Sequence, residues 1–428
     1  DPDYRRSRTV ESLGMVYRSH YPNRPMQTAR NIKLSPLHDR LAGAGAYFRE
    51  VSGWEAPDWF APAGVEPTVD RLSWGRENWF PYWQAEHGAI RNGVGLMDMS
   101  FMAKFSVEGP GAGALLEQLS ANRVDGESGR ITYTQWLNDG GTLEADLTVT
   151  KLDDGRFWVV ASDTAHRHVE TWMRRHADAF DDVAISDATE AYSQINLHGP
   201  LSRELLASVT GAELSTEAFP FRAARRIEVG GVSVLCVRIT YVGELGYELY
   251  VAADEAVEVY DQMVAAGGRF ELQHIGLKAL GSLRMEKGYR DYGHDIDNTD
   301  DPYEAGLGFA IDLDKPGGFI GREALLARRQ AGAPTRRLVQ ILLTDPKPLM
   351  FHGEIVYRNG KAVGYIRAAS YGHTLGGAVG LAMADAKQLV TQDWVSTGSW
   401  QVDVAGRRYD AIASLAPLYD PRAERIQT

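Results

Sequence analysis

The chain reads as an α+β protein in three parts, and three observations carry that reading. Helical and strand signals alternate from about residue 76 to 330. After about 335 they give way to short strands separated by turn residues, as in a small all-β barrel. Residues 1–60 fit neither pattern and read as an irregular, aromatic-rich arm. The expected division is therefore an arm over 1–60, a core over 61–330 and a β-domain over 335–428.

Within the arm only "SPLHDRLAGAGAYFREV" looks helical, with Ser35 as cap and Pro36 in the first turn. "NWFPYWQAEHGAIRNG" predicts a helix ending at Asn92-Gly93. "MDMSFMAKFSVEG" follows as a strand and "GPGAGALLEQLSA" as a helix. Strands are expected near 130–137, 142–152 and 156–161, the last two joined by the hairpin signal Asp154-Gly155. "SDTAHRHVETWMRRHADAF" reads as a capped helix, "RRIEVGGVSVLCVRI" as a hairpin and "GLKALGSLRMEKGYRDYGHDID" as a helix entering a polar loop. "RRQAGAPT" is the expected linker to the last domain. There, "EIVYRNGKAVGYIRAAS" carries a hairpin at Asn359-Gly360.

Composition narrows the function classes. With 428 residues, the chain is long enough for two or three domains. A net charge of −12 argues against general nucleic-acid or anionic-membrane binding, because both need a basic surface. No run reaches the roughly 18 apolar residues of a membrane span, and no signal-peptide pattern opens the chain. One cysteine, Cys236, excludes an internal disulfide framework and suits a reducing, cytoplasmic setting. The first residue is Asp, as expected of a processed chain or a piece of a longer one.

Several motifs carry no chemistry. Gly109-Pro110-Gly111-Ala112-Gly113-Ala114 lies between a strand and a helix, as a dinucleotide fingerprint would. However, Pro110 removes an amide from the turn and no acidic partner follows, so a tight turn is the better reading. His166 and His168 diverge on a helix without a carboxylate cluster, so no metal site is expected. "GGTLEADLTV" (140–149) is a strand with Leu143, Ala145, Leu147 and Val149 on one face. Asp146 sits mid-way along the other face, which is either solvated or a pocket wall.

Taken as a set, "GLMDMSFMAKF", "GGTLEADLTV", "YVGELGYEL", "LGSLRMEKGY", "DPYEAGLGFAID" and "FIGREAL" resemble, in order and spacing, the aminomethyltransferase family, the T-protein of glycine cleavage. The likeness is greater to the tetrahydrofolate-binding half of dimethylglycine oxidase and of dimethylglycine and sarcosine dehydrogenases. It covers nearly the whole chain. It implies a three-part cloverleaf, with two mixed α/β subdomains around a folate cavity plus a C-terminal barrel. It also implies tetrahydrofolate as cofactor, and FAD only on a partner amine oxidase or dehydrogenase domain or subunit, which feeds in a methylamine-derived substrate. Two departures stand out. Residues 1–60 carry no Gly-rich FAD fingerprint, and "IRAAS" around Arg367 stands where family barrels often show Thr-Ser-Gly. "EKGYRDYG" lacks the cysteine of the branch that serves iron–sulfur maintenance.

The resemblance assigns roles. Asp146 is the expected catalytic carboxylate beside N10 or N5 of the folate, and Thr148 shares its face. Glu248 is the first choice and Glu244 the second for accepting from the pterin's amino edge. Tyr133 and Tyr241 are expected to pack on the rings, Met102 to line the slot, and Arg284 to orient the pterin or Glu286. The reaction implied is capture of the carbon of an oxidised N-methylamine as 5,10-methylenetetrahydrofolate. The alternatives are direct demethylation of a small methyl donor giving 5-methyltetrahydrofolate, and a non-catalytic folate-binding interaction subunit.

Overall fold

Two sheets and a barrel organise the chain, and each sheet buries one face under helices. The structure is a computed structural model that describes residues 2–428. Asp1, the tip of the expected arm, lies outside the described residues. A five-stranded sheet runs in the order Arg130–Leu137, Leu143–Asp153, Arg156–Ala161, Ala103–Glu108, Ala184–Asp187. Its apolar face, including Phe105, Ala145, Leu147, Val149 and Val159, packs on helices Ala112–Leu119 and His166–Ala177. A six-stranded sheet runs Ala224–Val229, Val232–Val237, Gly246–Ala252, Tyr192–His198, Gly95–Asp98, Gln273–His274. It buries Ile195, Leu197, Val234 and Leu249 against helix Ala256–Gly267. Alternation along each strand leaves the opposite faces of both sheets free to build something else.

The strand expected over "MDMSFMAKFSVEG" is two strands in two sheets. Gly95–Asp98 belongs to the six-stranded sheet and Ala103–Glu108 to the five-stranded one. Asp98 breaks the run by accepting from its own downstream chain: Ser100 N at 3.0 Å and Ser100 Oγ at 2.5 Å. An Asx-type turn of this kind competes with ladder pairing. The chain therefore crosses from sheet to sheet at Met99–Met102.

The arm also departs from the irregular reading. Pro2–Val16 is a helix with no buried residue, so it has no apolar stripe for a sequence to reveal. Ala46–Val51 and Trp54–Phe60 form a two-stranded ribbon, and only His38–Gly43 of the expected helix is helical. The hairpin signals were sound. Asn359 and Gly360 both take positive φ, 50° and 76°, between strands Ile355–Arg358 and Lys361–Gly372.

Helix Phe80–Asn92 ends at Gly93 and packs on helix Leu277–Glu286. The expected linker begins inside a helix, Arg322–Ala331, which Gly332 terminates at φ +96°. Beyond it six strands close into a barrel, because Arg336–Leu343 pairs with both Gly377–Asp385 and Arg407–Ser414. The C-terminal tail then leaves the barrel and returns to the core. No helix among the described residues is long and apolar enough to cross a membrane.

Candidate functional site

The free faces of the two sheets meet across a cavity of about 1400 Å³. Helix Leu277–Glu286, the loop after it, the barrel strand Lys361–Gly372 and the tail residues Pro421, Ala423 and Ile426 complete its walls. Of the eight residues expected at a site, seven line this cavity: Met102, Tyr133, Asp146, Thr148, Tyr241, Glu248 and Arg284.

Asp146 stands on the free face of Leu143–Asp153, directly across from Gln135, whose Nε2 donates to its carboxylate at 2.9 Å. Burial raises the Asp146 carboxyl to about 6, although the bonds from Gln135 and Tyr133 and the charge of Arg290 favour its ionised form. The group thus exchanges protons near neutral pH, where a relay works best. Glu144, on the same face, lies outside the cavity, bonded to Asn138 and His168. Tyr133 lies opposite Thr148 and stacks on Phe309 with ring centroids 6.1 Å apart. Burial, with the Asp146 charge beside it, pushes its phenol well above the usual value.

The second wall comes from Gly246–Ala252. Glu248 sits across from Asn196, and Tyr250 Oη donates to Glu248 Oε2 at 2.6 Å. Burial raises its carboxyl, against the bonds from Tyr250 and Asn196 and the charge of Lys104. Tyr241 donates its hydroxyl to Arg290 O at 2.6 Å and stacks on Tyr289 at 5.8 Å. Arg284 donates to Asp295 at 3.0 Å and to Tyr289 O at 3.1 Å. Burial opposes its charge, yet Asp295, Tyr241 and Asp291 together hold its pKa above the ordinary value.

Glu244 is elsewhere. It is 1% exposed, bound by Arg91 Nη1 at 2.9 Å, Arg425 Nε at 2.5 Å and Tyr419 Oη at 2.6 Å. It faces a seam between helix Phe80–Asn92 and the tail, so one motif glutamate serves the cavity and the other the packing. The two motif glycines make room for the chain itself rather than for a ligand. A Cβ on Gly246 would lie 1.8 Å from His198 Nδ1, and one on Gly243 would lie 2.9 Å from Lys287 Cδ.

Sequence reasoning passed over several residues that line the cavity or stand behind its wall. Gln135 was hidden because cross-strand register cannot be read from one strand. Arg290, Asp291 and His294 lay in the quoted loop "RDYGHDID" but were given no role. Arg49 comes from the arm, and Arg367, whose contacts "IRAAS" left open, lines the cavity and donates to Asp295 O at 3.1 Å. Lys104, 0% exposed, fixes the crossing loop by donating to Ser100 O at 2.8 Å and Met102 O at 2.7 Å.

The Gly-rich turn before Ala112–Leu119 is filled by the protein. Added Cβ atoms at Gly109, Gly111 and Gly113 would lie 1.7, 2.5 and 2.4 Å from Asp182 O, Asp181 O and Asp125 Oδ2.

Comparison with known proteins agrees with this fold. Residues 37–315 match the GCVT N-terminal domain, and residues 336–420 match the glycine cleavage T-protein C-terminal barrel domain. Residues 1–35 match part of the FAD dependent oxidoreductase central domain. The chain is 43% identical over 99% of its length to 4-methylaminobutanoate oxidase (formaldehyde-forming) of Paenarthrobacter nicotinovorans, covering 50% of that protein. It spans about half the length of the first curated relatives it matches. An aminomethyltransferase of Geobacillus kaustophilus (strain HTA426) is 32% identical over 91% of this chain and 99% of its own. The crystal structure of aminomethyltransferase T from Bartonella henselae shares the fold, with a TM-score of 0.76, 23% identity, and coverage of 91% of this chain and 99% of that one. The chain belongs to the glycine cleavage T-protein family of aminomethyltransferases.

Proposed function

We propose that the cavity binds a reduced folate and that the chain moves one carbon onto it from an oxidised N-methylamine, forming 5,10-methylenetetrahydrofolate. The convergence of Asp146, Tyr133, Tyr241 and Glu248 on one cavity carries this reading. The residues suit the group. Glu248 is a partly buried acceptor for the pterin's 2-amino and N3–H edge, the two tyrosines offer aromatic faces, and the volume exceeds that of an ordinary ligand pocket. Bound reduced folate supplies two nitrogens that capture carbon at the oxidation level of formaldehyde. Asp146 takes up the proton released at the nitrogen beside it, and its raised carboxyl pKa returns that proton near neutral pH. Gln135 keeps the carboxylate aimed into the cavity. The two partly buried tyrosines stay neutral.

Oxidation of the amine belongs to an FAD-bearing domain or subunit. The match of residues 1–35 to an FAD oxidoreductase domain and the 4-methylaminobutanoate oxidase relative support such a partner. The filled glycine turn at 109–113 is no place for a dinucleotide. A single, fully buried cysteine suits the cytoplasm.

Folinic acid at about 1 mM is expected to raise the melting temperature, as any native-state ligand does. A flat response would sink the folate assignment. Supplied with a flavoprotein and an N-methylamine, the chain is expected to replace free formaldehyde with methylenetetrahydrofolate; a methyl product would point to direct demethylation.

A further inference from the structure

Among the described residues, one large apolar side chain combines high exposure with a place on the cavity wall. Phe309 is 77% exposed and lines the cavity, whereas the other exposed large apolar residues lie elsewhere. Its flanking residues do the opposite: Leu307 and Ala310 are each 2% exposed. The turn Gly308–Ala310 is pinned through its backbone, with Leu307 N donating to Pro302 O at 2.7 Å and Ala310 N to Leu307 O at 3.0 Å. Gly308 leaves little slack, because an added Cβ would lie 3.2 Å from Tyr303 Cδ1. The turn therefore holds Phe309 outward, and the ring forgoes the burial that a phenylalanine ordinarily gains.

The ring has a functional neighbour. Phe309 stacks on Tyr133 with ring centroids 6.1 Å apart and planes inclined by 26°. At that spacing the two rings are in direct contact, so no third ring enters between them and the outer side of Phe309 stays bare. Tyr133 pairs across the strands with Thr148, which shares a face with Asp146 two residues away. Phe309 thus sits one ring outward from the wall that carries the reacting carboxylate. Trp79, Trp83 and Tyr371, which also line the cavity, are at most 8% exposed and already packed on aromatic neighbours. Phe309 is the uncovered one.

We infer that Phe309 is a binding residue for the aromatic middle of the folate, whose aminobenzoyl ring lies on the outer face of Phe309 with Tyr133 behind. The inference rests on the proposed folate reading and adds a contact that reading does not use. Covalent order along the ligand sets the place. N10 is bonded directly to the aminobenzoyl ring, so a folate with N10 beside Asp146 carries that ring past Tyr133 and onto the residue stacked there. A turn that is ordered before the ligand arrives supplies this surface with little further loss of entropy.

Wild type, Phe309→Ala and Phe309→Tyr are titrated calorimetrically, as the full chain, with folinic acid and with 6-methyltetrahydropterin. The second ligand keeps the pterin and lacks the aminobenzoyl ring. Because Phe309 buries little surface, Phe309→Ala should melt within about two degrees of wild type without ligand. Folinic acid should bind about tenfold more weakly to Phe309→Ala, and within about threefold of wild type to Phe309→Tyr, which restores an aromatic face. Affinity for 6-methyltetrahydropterin should stay within about twofold of wild type in both variants. A Phe309→Ala chain that binds folinic acid like wild type overturns the assignment and leaves the folate reading standing. An equal loss for both ligands also overturns it, because the effect would then not belong to the aminobenzoyl ring. A wild-type chain that binds neither ligand sinks the folate reading and this contact with it.

Discussion

Asp146→Asn is expected to cost transfer and to stabilise the fold above pH 6. The Asp146 carboxyl rises from its ordinary 3.8 to about 6 because burial penalises its charge. A folded-state pKa above the unfolded one means that the native state binds the proton more tightly. Stability from this group is therefore full below pH about 4, falls as pH rises to about 6, and is flat beyond. At about 1.4 kcal/mol per tenfold change, the difference is about 3 kcal/mol at most, lessened by water in the cavity. Asn keeps an oxygen for the 2.9 Å bond from Gln135 and carries no charge to penalise. The variant should melt a few degrees above wild type at pH 8 and close to it at pH 4.5. One-carbon transfer should slow by at least about 10²-fold. Thermal denaturation across this pH range reads the first effect and single-turnover product formation the second. A variant less stable at pH 8, or a gain that does not change between pH 4.5 and 8, would refute the origin assigned to the raised pKa.

Glu248→Gln should weaken folinic acid by about 1.5–3 kcal/mol while leaving Tm without ligand nearly unchanged, because it removes a charged acceptor; ligand-dependent melting measures both. Glu286 behaves in the opposite sense to Asp146. Burial opposes its charge, but His87 and Arg91 outweigh it and hold its carboxyl at about 2, with Arg91 Nη2 at 2.9 Å. Its stabilisation is therefore present above the ordinary carboxylate range and lost as pH falls toward 2. Glu286→Gln should lower stability at pH 7 by about 3 kcal/mol, with the difference cut to about half or less at pH 3, as denaturant unfolding at the two pH values would show.

The fold was legible wherever it depends on local chemistry. Asn359-Gly360 and Asp154-Gly155 announce hairpins because only a few residue types tolerate positive φ, and period-two alternation places Asp146 on a face without any knowledge of neighbours. What lies across from that face is a matter of register and packing, so Gln135 could not be paired with it. The motif "GELGYEL" offered two glutamates four residues apart, Glu248 as first choice and Glu244 as second; Glu244 precedes the strand and is claimed by Arg91 of helix Phe80–Asn92 and Arg425 of the tail, which no local spacing reveals. The helix Pro2–Val16 was missed for the complementary reason. It buries nothing within the described residues, and a reading based on apolar stripes cannot see such a helix.

The placement of Glu244 and Glu286 says why the cavity holds its shape. Together they gather Arg91 and His87 from helix Phe80–Asn92, Thr374 N and Leu375 N from the barrel, and Arg425 and Tyr419 from the tail. Those elements wall the cavity or border its walls, and the pairs made by Arg91 are almost wholly removed from water, while Arg425 reaches Glu244 from the surface. Buried charges that lose one partner leave the other uncompensated, so the seam opens at a cost of several kcal/mol or not at all. Polar groups are thus divided between two tasks. The acids with opposing charges at contact distance lock the three units together, whereas Asp146 and Glu248, held by neutral donors, remain available to a ligand. Sorting the motif's carboxylates by whether their partners are charged or neutral separates structure from chemistry here, and spacing along the chain does not.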